Sequence, residues 1–379
     1  MMNQTNPTMQ RRHFCRLTVF WGVSAFTFSA NAWEAGPVLK VGPGKDFERI
    51  EDAVQAAVPG TEIIVYPRKG REPYTQVHIL VRTPKLTIRS ADPKHPIVLD
   101  GAGFDYSGAG SIPRAIVQFN AGADGGKLVG FILQNAHAQT HNAAGVRISQ
   151  ANGVTVSRCI IRSNDMGVMS DGSAVQKTGT DQRIERCRIV RNGALEDAGF
   201  NHNLYLGGHS AVVSRCDIGW SLTGHNLKSR VHQLTVSDCF IHDAANRELD
   251  LVDSKENTDQ PNSSTLLLGN RIVKDPNCQG NKNVIHFGTD QGVLHDGVLT
   301  LRKNFIETPF SSPVIDLSDG KGLVLQKNRF SDAGSGSRAP LVQQRTKIDI
   351  PIRGSENQFP KNFILPAFGQ IPQDLQRGK

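Results

Sequence analysis

"VTVSRCIIRSN", residues 154–164, carries the pattern that decides the fold. Apolar and polar residues alternate up to a cysteine. Two isoleucines follow, and the stretch ends on Ser-Asn. Working outward, the pattern returns in "QRIERCRIVRN" (182–192), "AVVSRCDIGW" (211–220) and "LTVSDCFIHDA" (234–244). It continues with asparagine in the cysteine position in "LLLGNRIVKD" (266–275), "LTLRKNFIET" (299–308) and "LVLQKNRFSD" (323–332), and upstream with Phe131 in "KLVGFILQNA" (127–136). Successive anchors stand 28, 28, 29, 23, 31, 34 and 24 residues apart. Each repeat reads as short β-branched strands closed by turns rich in Asn, Asp, Ser or Gly. None contains an amphipathic helical stretch. One such unit cannot bury its own apolar face, so the units must stack. The reading is all-β: a parallel β-helix with about three strands per rung and rungs about 4.8 Å apart.

Equivalent inward positions of stacked rungs form ladders. Cys159, Cys187, Cys216 and Cys239 are expected in one interior ladder, continued by Asn270, Asn304 and Asn328. A buried thiol packs as a small hydrophobe. There is no CxxC or CxxH spacing, and five cysteines beyond residue 32, with Cys278 the fifth, do not make a complete disulfide framework. One helical run, Phe47 to Ala57, is expected as a short N-terminal cap over the open end of the solenoid.

The chain of 379 residues divides into three parts. Residues 1–32 read as an export signal of the twin-arginine type: Arg11-Arg12, an apolar run too short to span a membrane, then Ala30-Asn31-Ala32. Residues 33–334 form the β-helix. Residues 335–379 are a Pro-rich tail or cap, because the periodicity fades beyond Gly334. The expected location is periplasmic or extracellular, with no transmembrane segment and a monomeric state. The formal charge of +8 falls to +5 once the three arginines of the leader are removed. A modest positive charge suits an acidic polysaccharide. No Lys/Arg run marks a nucleic-acid partner.

From residue 37 to 333 the chain resembles the pectin-lyase-like superfamily of right-handed parallel β-helix proteins. The opening "GKDFERIEDAVQAAVPGTEIIVYP" and the V-S-x-C-x-I rungs carry the resemblance. It implies the fold and its hand. It does not choose among lyases, hydrolases, esterases, epimerases and tailspikes.

Candidate site residues follow from registering "HNLYLGG" (202–208), "HNLKSRV" (225–231) and "RELDLVD" (247–253) on the inward leucines Leu204, Leu227 and Leu249. Side chains alternate along a strand. Asn203, Asn226 and Glu248 are then expected in one outward column, and Tyr205, Lys228 and Asp250 in the next. His202, His225 and Arg247 fall at the strand entry. His286 and Asp316 extend the Lys228 column on one side and Arg147 on the other. Lys228, Arg247 and His225 are the expected catalytic residues. His202, Asn203, Tyr205, Asn226, Arg230, Glu248, Asp250 and His286 are expected to bind substrate.

The chemistry to which these residue types point is β-elimination in a uronate polysaccharide. It needs a base for the C5 proton, cations at the carboxylate and an acid for the leaving oxygen. Lys228 is the expected base, although Asp250 beside it counts against that role. "NLKSR" with Arg247 also resembles the alginate lyase and chondroitinase B group, which implies a Lys base and a calcium-assisted mechanism. The upstream residues "GWSLTGHN" supply no carboxylate for calcium, so the sequence requires no cofactor and assigns no metal ligands. A uronan C5-epimerase shares the first proton abstraction. A glycoside hydrolase would need two carboxylates on the face. A non-catalytic glycan-binding or envelope protein would keep the groove without the chemistry.

Overall fold

The computed structural model describes residues 36–371 apart from Pro93, Gly110, Ser111, Ser335, Ser337, Lys347 and Ile348. The expected export signal therefore lies outside the described residues. The strands stack in three parallel columns, as a β-helix requires. One face holds Ile79–Val81, Ala115–Phe119, Ala144–Ser149, Met166–Asp171, Leu249–Val252, Ile285–Gly288 and Ile315–Leu317. A second begins at Val38–Val41 and runs through Thr155–Ser157 and Gln182–Glu185 to Gly322–Gln326. The third is a separate nine-stranded sheet from Ile97–Asp100 to Arg329–Ser331.

Two long strands, Leu204–Ser214 and Leu227–Ser237, turn the corner between the first and second faces without a loop. Leu204 pairs with Val168 on the first face, while Ala211 pairs with Gln182 on the second. The missing loop accounts for the shortest period in the sequence, 23 residues from Cys216 to Cys239. Gly208, at φ +111, sits at that corner in the first of the two strands. A Cβ there would stand 2.8 Å from the carbonyl oxygen of Gly179.

Leu204, Leu227 and Leu249 are fully buried, and so are Ile285 and Ile315 in the same register. The cysteine ladder is present. The backbone N–H of Cys187 points at Cys216 Sγ (3.5 Å) and that of Cys216 at Cys239 Sγ (3.4 Å). The Cys239 N–H donates to Asn270 Oδ1 at 2.9 Å, and the ladder continues through Asn304 and Asn328 to Asn357. All five described cysteines are free and buried. The helix, Ile50–Ala56, buries Ile50, Ala53 and Val54.

The solenoid continues past Gly334. Val342–Gln344 pairs with Ile315–Leu317, and Ile352–Ser355 pairs with Gly322–Gln326. Prolines hide this last rung from a periodicity search. They remove backbone donors only where the strand ends or sits at an edge.

Candidate functional site

The outward column on the first face is as registered. Tyr205 pairs with Lys228, Lys228 with Asp250, Asp250 with His286, and His286 with Asp316. Its hub is the Asp250 carboxylate. Lys228 Nζ lies 3.2 Å from Oδ2 and His225 Nε2 3.3 Å from the same oxygen. Arg247 Nη1 (3.1 Å) and His286 Nδ1 (2.8 Å) meet Oδ1. Burial works to raise the Asp250 carboxyl. The pull of His225, the hydrogen bond from His286 and the Lys228 ammonium outweigh it and hold the carboxyl well below the usual range.

The two stacked histidines form a relay of fixed tautomers. His202 Nδ1 accepts the backbone N–H of His225 (3.0 Å), and His225 Nδ1 accepts that of Arg247 (3.2 Å). The proton of each neutral ring therefore sits on Nε2, and His225 donates it to Asp250. Burial pushes His225 down to about 4 against the attraction of Asp250, and pushes His202 well below the usual imidazole value. Both rings are neutral at pH 7.

A second carboxylate closes over Lys228. Asp290 Oδ2 lies 3.1 Å from Lys228 Nζ and is also bound by Arg230. Its loop is pinned from below. Asp253 Oδ1 accepts the N–H groups of Asp290 and Gln291 (2.7 Å each), and Oδ2 accepts that of Val293 (2.9 Å). Burial would raise Asp290, but Lys228 and Arg230 hold it low. Arg230 Nε donates to the Tyr205 hydroxyl oxygen at 2.9 Å.

The placements sort the expected residues into three layers. Tyr205, Lys228, Arg230 and Arg247 line the open face. His202, His225, Asp250 and His286 lie just beneath it, each less than 8 % exposed, and act through the residues above. Asn203, Asn226 and Glu248 correct the sequence reading. They point inward and are fully buried, so none is placed to contact a substrate. Strict alternation fails because each stands in a bend one residue before its strand. At the turn from the third face into the first, the carbonyls of Gly219 and His242 each accept one backbone N–H, from Arg191 (3.3 Å) and Trp220 (3.2 Å), and keep a second lone pair for a buried side-chain donor, while Glu248 accepts the N–H of Ala244 (3.0 Å). Asn203 Nδ2 donates to the Gly219 carbonyl (2.8 Å), and Asn226 Nδ2 to that of His242 (2.7 Å). Their carboxamides also link into a chain, Asn164–Asn192–Asn203–Asn226–Glu248, with the fully buried Lys274 at its end, 3.9 Å from Glu248.

Asp290, Ser318 and Arg345 were not anticipated. Ser318 Oγ meets His286 Nε2 at 2.9 Å, and Arg345 Nε donates to Asp316 at 2.8 Å. Asp290 and Ser318 follow the ends of their strands and Arg345 comes one residue past the last rung, where no periodicity marks a side chain. Among the described residues no group of three or more His, Cys, Asp or Glu side chains is placed to hold a metal ion. Asp250 and Asp290 are occupied by cations of the chain itself, so the donor set does not fit the calcium site implied by the local resemblance.

No family model and no curated protein matches the sequence. Solved structures do. The alginate lyase from Paenibacillus sp. str. FPU-7 superposes with a TM-score of 0.52 at 15% identity, covering 88% of this chain and 99% of that one. The tailspike protein of E. coli bacteriophage HK620, in complex with a pentasaccharide, gives a TM-score of 0.52 at 10% identity over 88% of this chain and 60% of that one. The pectate lyase Pel9A gives 0.48 at 13% identity, over 85% and 80%. At these identities the likeness is one of fold. The chain has the right-handed parallel β-helix fold that these structures share. No helix among the described residues is long and apolar enough to cross a membrane.

Proposed function

We infer that the protein is an exported lyase that cleaves an acidic, uronate-containing polysaccharide by β-elimination. The observation that carries this reading is the pairing of Tyr205 and Lys228 on adjacent rungs of the open face, with Arg230 on the Tyr205 hydroxyl and Asp250 and Asp290 on the Lys228 ammonium. Two proton-transfer groups of different character then stand about one rung, roughly 4.8 Å, apart. The fold likeness to a lyase acting on alginate, itself an acidic glycan, agrees with it.

The residues divide the reaction as follows. Tyr205, its oxygen held by the Arg230 guanidinium, takes the C5 proton; this step requires the phenolate form, which the adjacent cation would favour. The C5–H electron pair forms the C4–C5 double bond, and the C4–O bond breaks. Lys228, held between two carboxylates, is suited to give a proton to the leaving oxygen rather than to take one. Arg247 neutralises the uronate carboxylate as charge builds on it. This exchanges the base role that the sequence suggested for Lys228. A hydrolase fits less well: Glu248 and Asp253 are fully buried, and Asp250 lies 2 % exposed beneath its cations.

A second reading, glycan binding without chemistry, is favoured by one observation: Lys228, Arg230 and Arg247 each already pair with a carboxylate. One experiment separates them. The purified chain is incubated with alginate, pectate, chondroitin and bacterial exopolysaccharides, and ultraviolet absorbance and product mass are followed together. Unsaturated oligosaccharides from one acidic polymer, lost in Tyr205→Phe, support the lyase. Binding without any product supports the second reading. Saturated products would sink the elimination chemistry.

A further inference from the structure

Upstream of the Asp250 hub, the same face carries three guanidinium groups against a single carboxylate, Asp171, among the described residues. A cavity of about 210 Å³ is lined by Arg82, Arg114, Arg147, Ser149 and Asp171. Arg82 and Arg114 are exposed, and Arg147 is only 7 % exposed. Among the described residues none of the three guanidinium groups makes an ion pair. Arg147 Nη2 touches Asn142 (3.2 and 3.3 Å) and Met169 Sδ (3.1 Å), while its buried Nε has no hydrogen-bond partner among the described residues. A buried guanidinium N–H without an acceptor is costly unless a ligand supplies one. The one carboxylate present, Asp171, shares the single Ser149 Oγ proton between its two oxygens, at 3.0 and 3.1 Å. Three positive groups against one negative leave the pocket net positive. At the Asp250 hub, by contrast, Lys228, Arg230 and Arg247 each face a carboxylate, although the Arg247 Nε too has no acceptor among the described residues. Burial, then the like charge of Arg114, bring Arg147 down to about 10, and an anion would relieve both effects.

We propose that Arg82, Arg114 and Arg147 form an anionic-sugar subsite that takes a carboxylate of the same glycan chain, roughly three sugar units from the Tyr205–Lys228 pair. This inference rests on the acidic-glycan reading and gives it a length requirement. The distance follows from the register. Arg147 pairs with Met169, Met169 with Tyr205 and Tyr205 with Lys228. Three rung steps are about 14 Å. One pyranose unit of an extended chain is about as long as one rung, so a carboxylate three units along meets the pocket. The planar fork of Arg suits a carboxylate better than a neutral hydroxyl.

The test is binding of uronate oligosaccharides, dimer to octamer, from alginate and from pectate, measured by calorimetry on the full chain. Carboxyl-reduced oligomers of the same lengths serve as the neutral control. The parent should show a step in affinity of about tenfold as the oligomer becomes long enough to reach the pocket, the size expected for one charge-assisted contact. Arg114→Ala and Arg82→Ala, both at exposed positions, should each shrink that step while leaving the affinity for dimers unchanged. Arg147→Met keeps the buried volume and should abolish it. The proposal is overturned if the step survives in the Arg82→Ala/Arg114→Ala double variant, or if carboxyl-reduced oligomers show the same step. A step that behaves as expected without any unsaturated product leaves the subsite standing and removes the lyase reading. No binding at any length removes both.

Discussion

Glu248→Gln is the substitution that tests the interior ladder most directly. A surface residue that binds substrate would change KM and leave stability alone. An interior residue would do the reverse. The Glu248 carboxylate and the Lys274 ammonium are both 0 % exposed and 3.9 Å apart. Above pH 7 the Gln variant leaves a buried ammonium without its counter-charge, a loss of about 3–5 kcal/mol. For a solenoid of this length that corresponds to about 5 °C in Tm. Lys274→Met leaves a carboxyl that can escape by taking a proton, so it costs less and its cost falls with pH. The double variant should recover about 2 kcal/mol or more of the summed losses, because the two sites share one contact.

The parent has its own pH signature. Burial raises Glu248 to about 7 against the pull of Lys274. An unfolded Glu ionises near about 4.3. Between those values the folded chain holds the extra proton. The contribution of this residue is therefore fully present below about 4.3 and is lost as pH rises through about 7, amounting to about 4 kcal/mol. Urea melts of the four proteins across this range are the assay. Additive losses at every pH, or a Glu248→Gln variant with parental stability and raised KM, would refute the placement of Glu248 inside.

Lys228→Ala should abolish turnover while lowering stability by only about 1–2 kcal/mol, since Asp250 keeps His225, Arg247 and His286; equal activity per folded molecule would make Lys228 a structural ion-pair partner. Tyr205→Phe should reduce kcat by about a hundredfold or more with KM nearly unchanged, and an unchanged kcat would remove Tyr205 from the chemistry. Cys239→Asn should be tolerated, because Asn270 already occupies the next position of that ladder and uses its Oδ1 as Cys239 would; a Tm loss far beyond that of Cys239→Ala would contradict the shared geometry. None of the five described cysteines should react with a thiol reagent until the chain unfolds, because all are buried.

The repeat in the sequence determined the solenoid, because period and alternation are local properties. A rung of this length with inward β-branched residues has one way to bury them, and the V-S-x-C-x-I register placed the cysteine ladder without any knowledge of neighbours. The same alternation placed Tyr205, Lys228, Asp250 and His286 in one column, since a strand projects every second residue to the same side. It failed at Asn203, Asn226 and Glu248, which stand one residue outside the strand. There the tertiary corner decides direction, by placing the carbonyls of Gly219 and His242 where the buried carboxamides of Asn203 and Asn226 donate a second hydrogen bond to them. Tertiary structure alone brought in Asp290, 62 residues from Lys228 and carried on a turn fastened to Asp253. Loops have no period, so their side chains cannot be registered from sequence. The difference between the matched cations of the hub and the unmatched guanidinium groups around Arg147 belongs to the same class. Composition counts charges, but only the folded chain decides which of them meet.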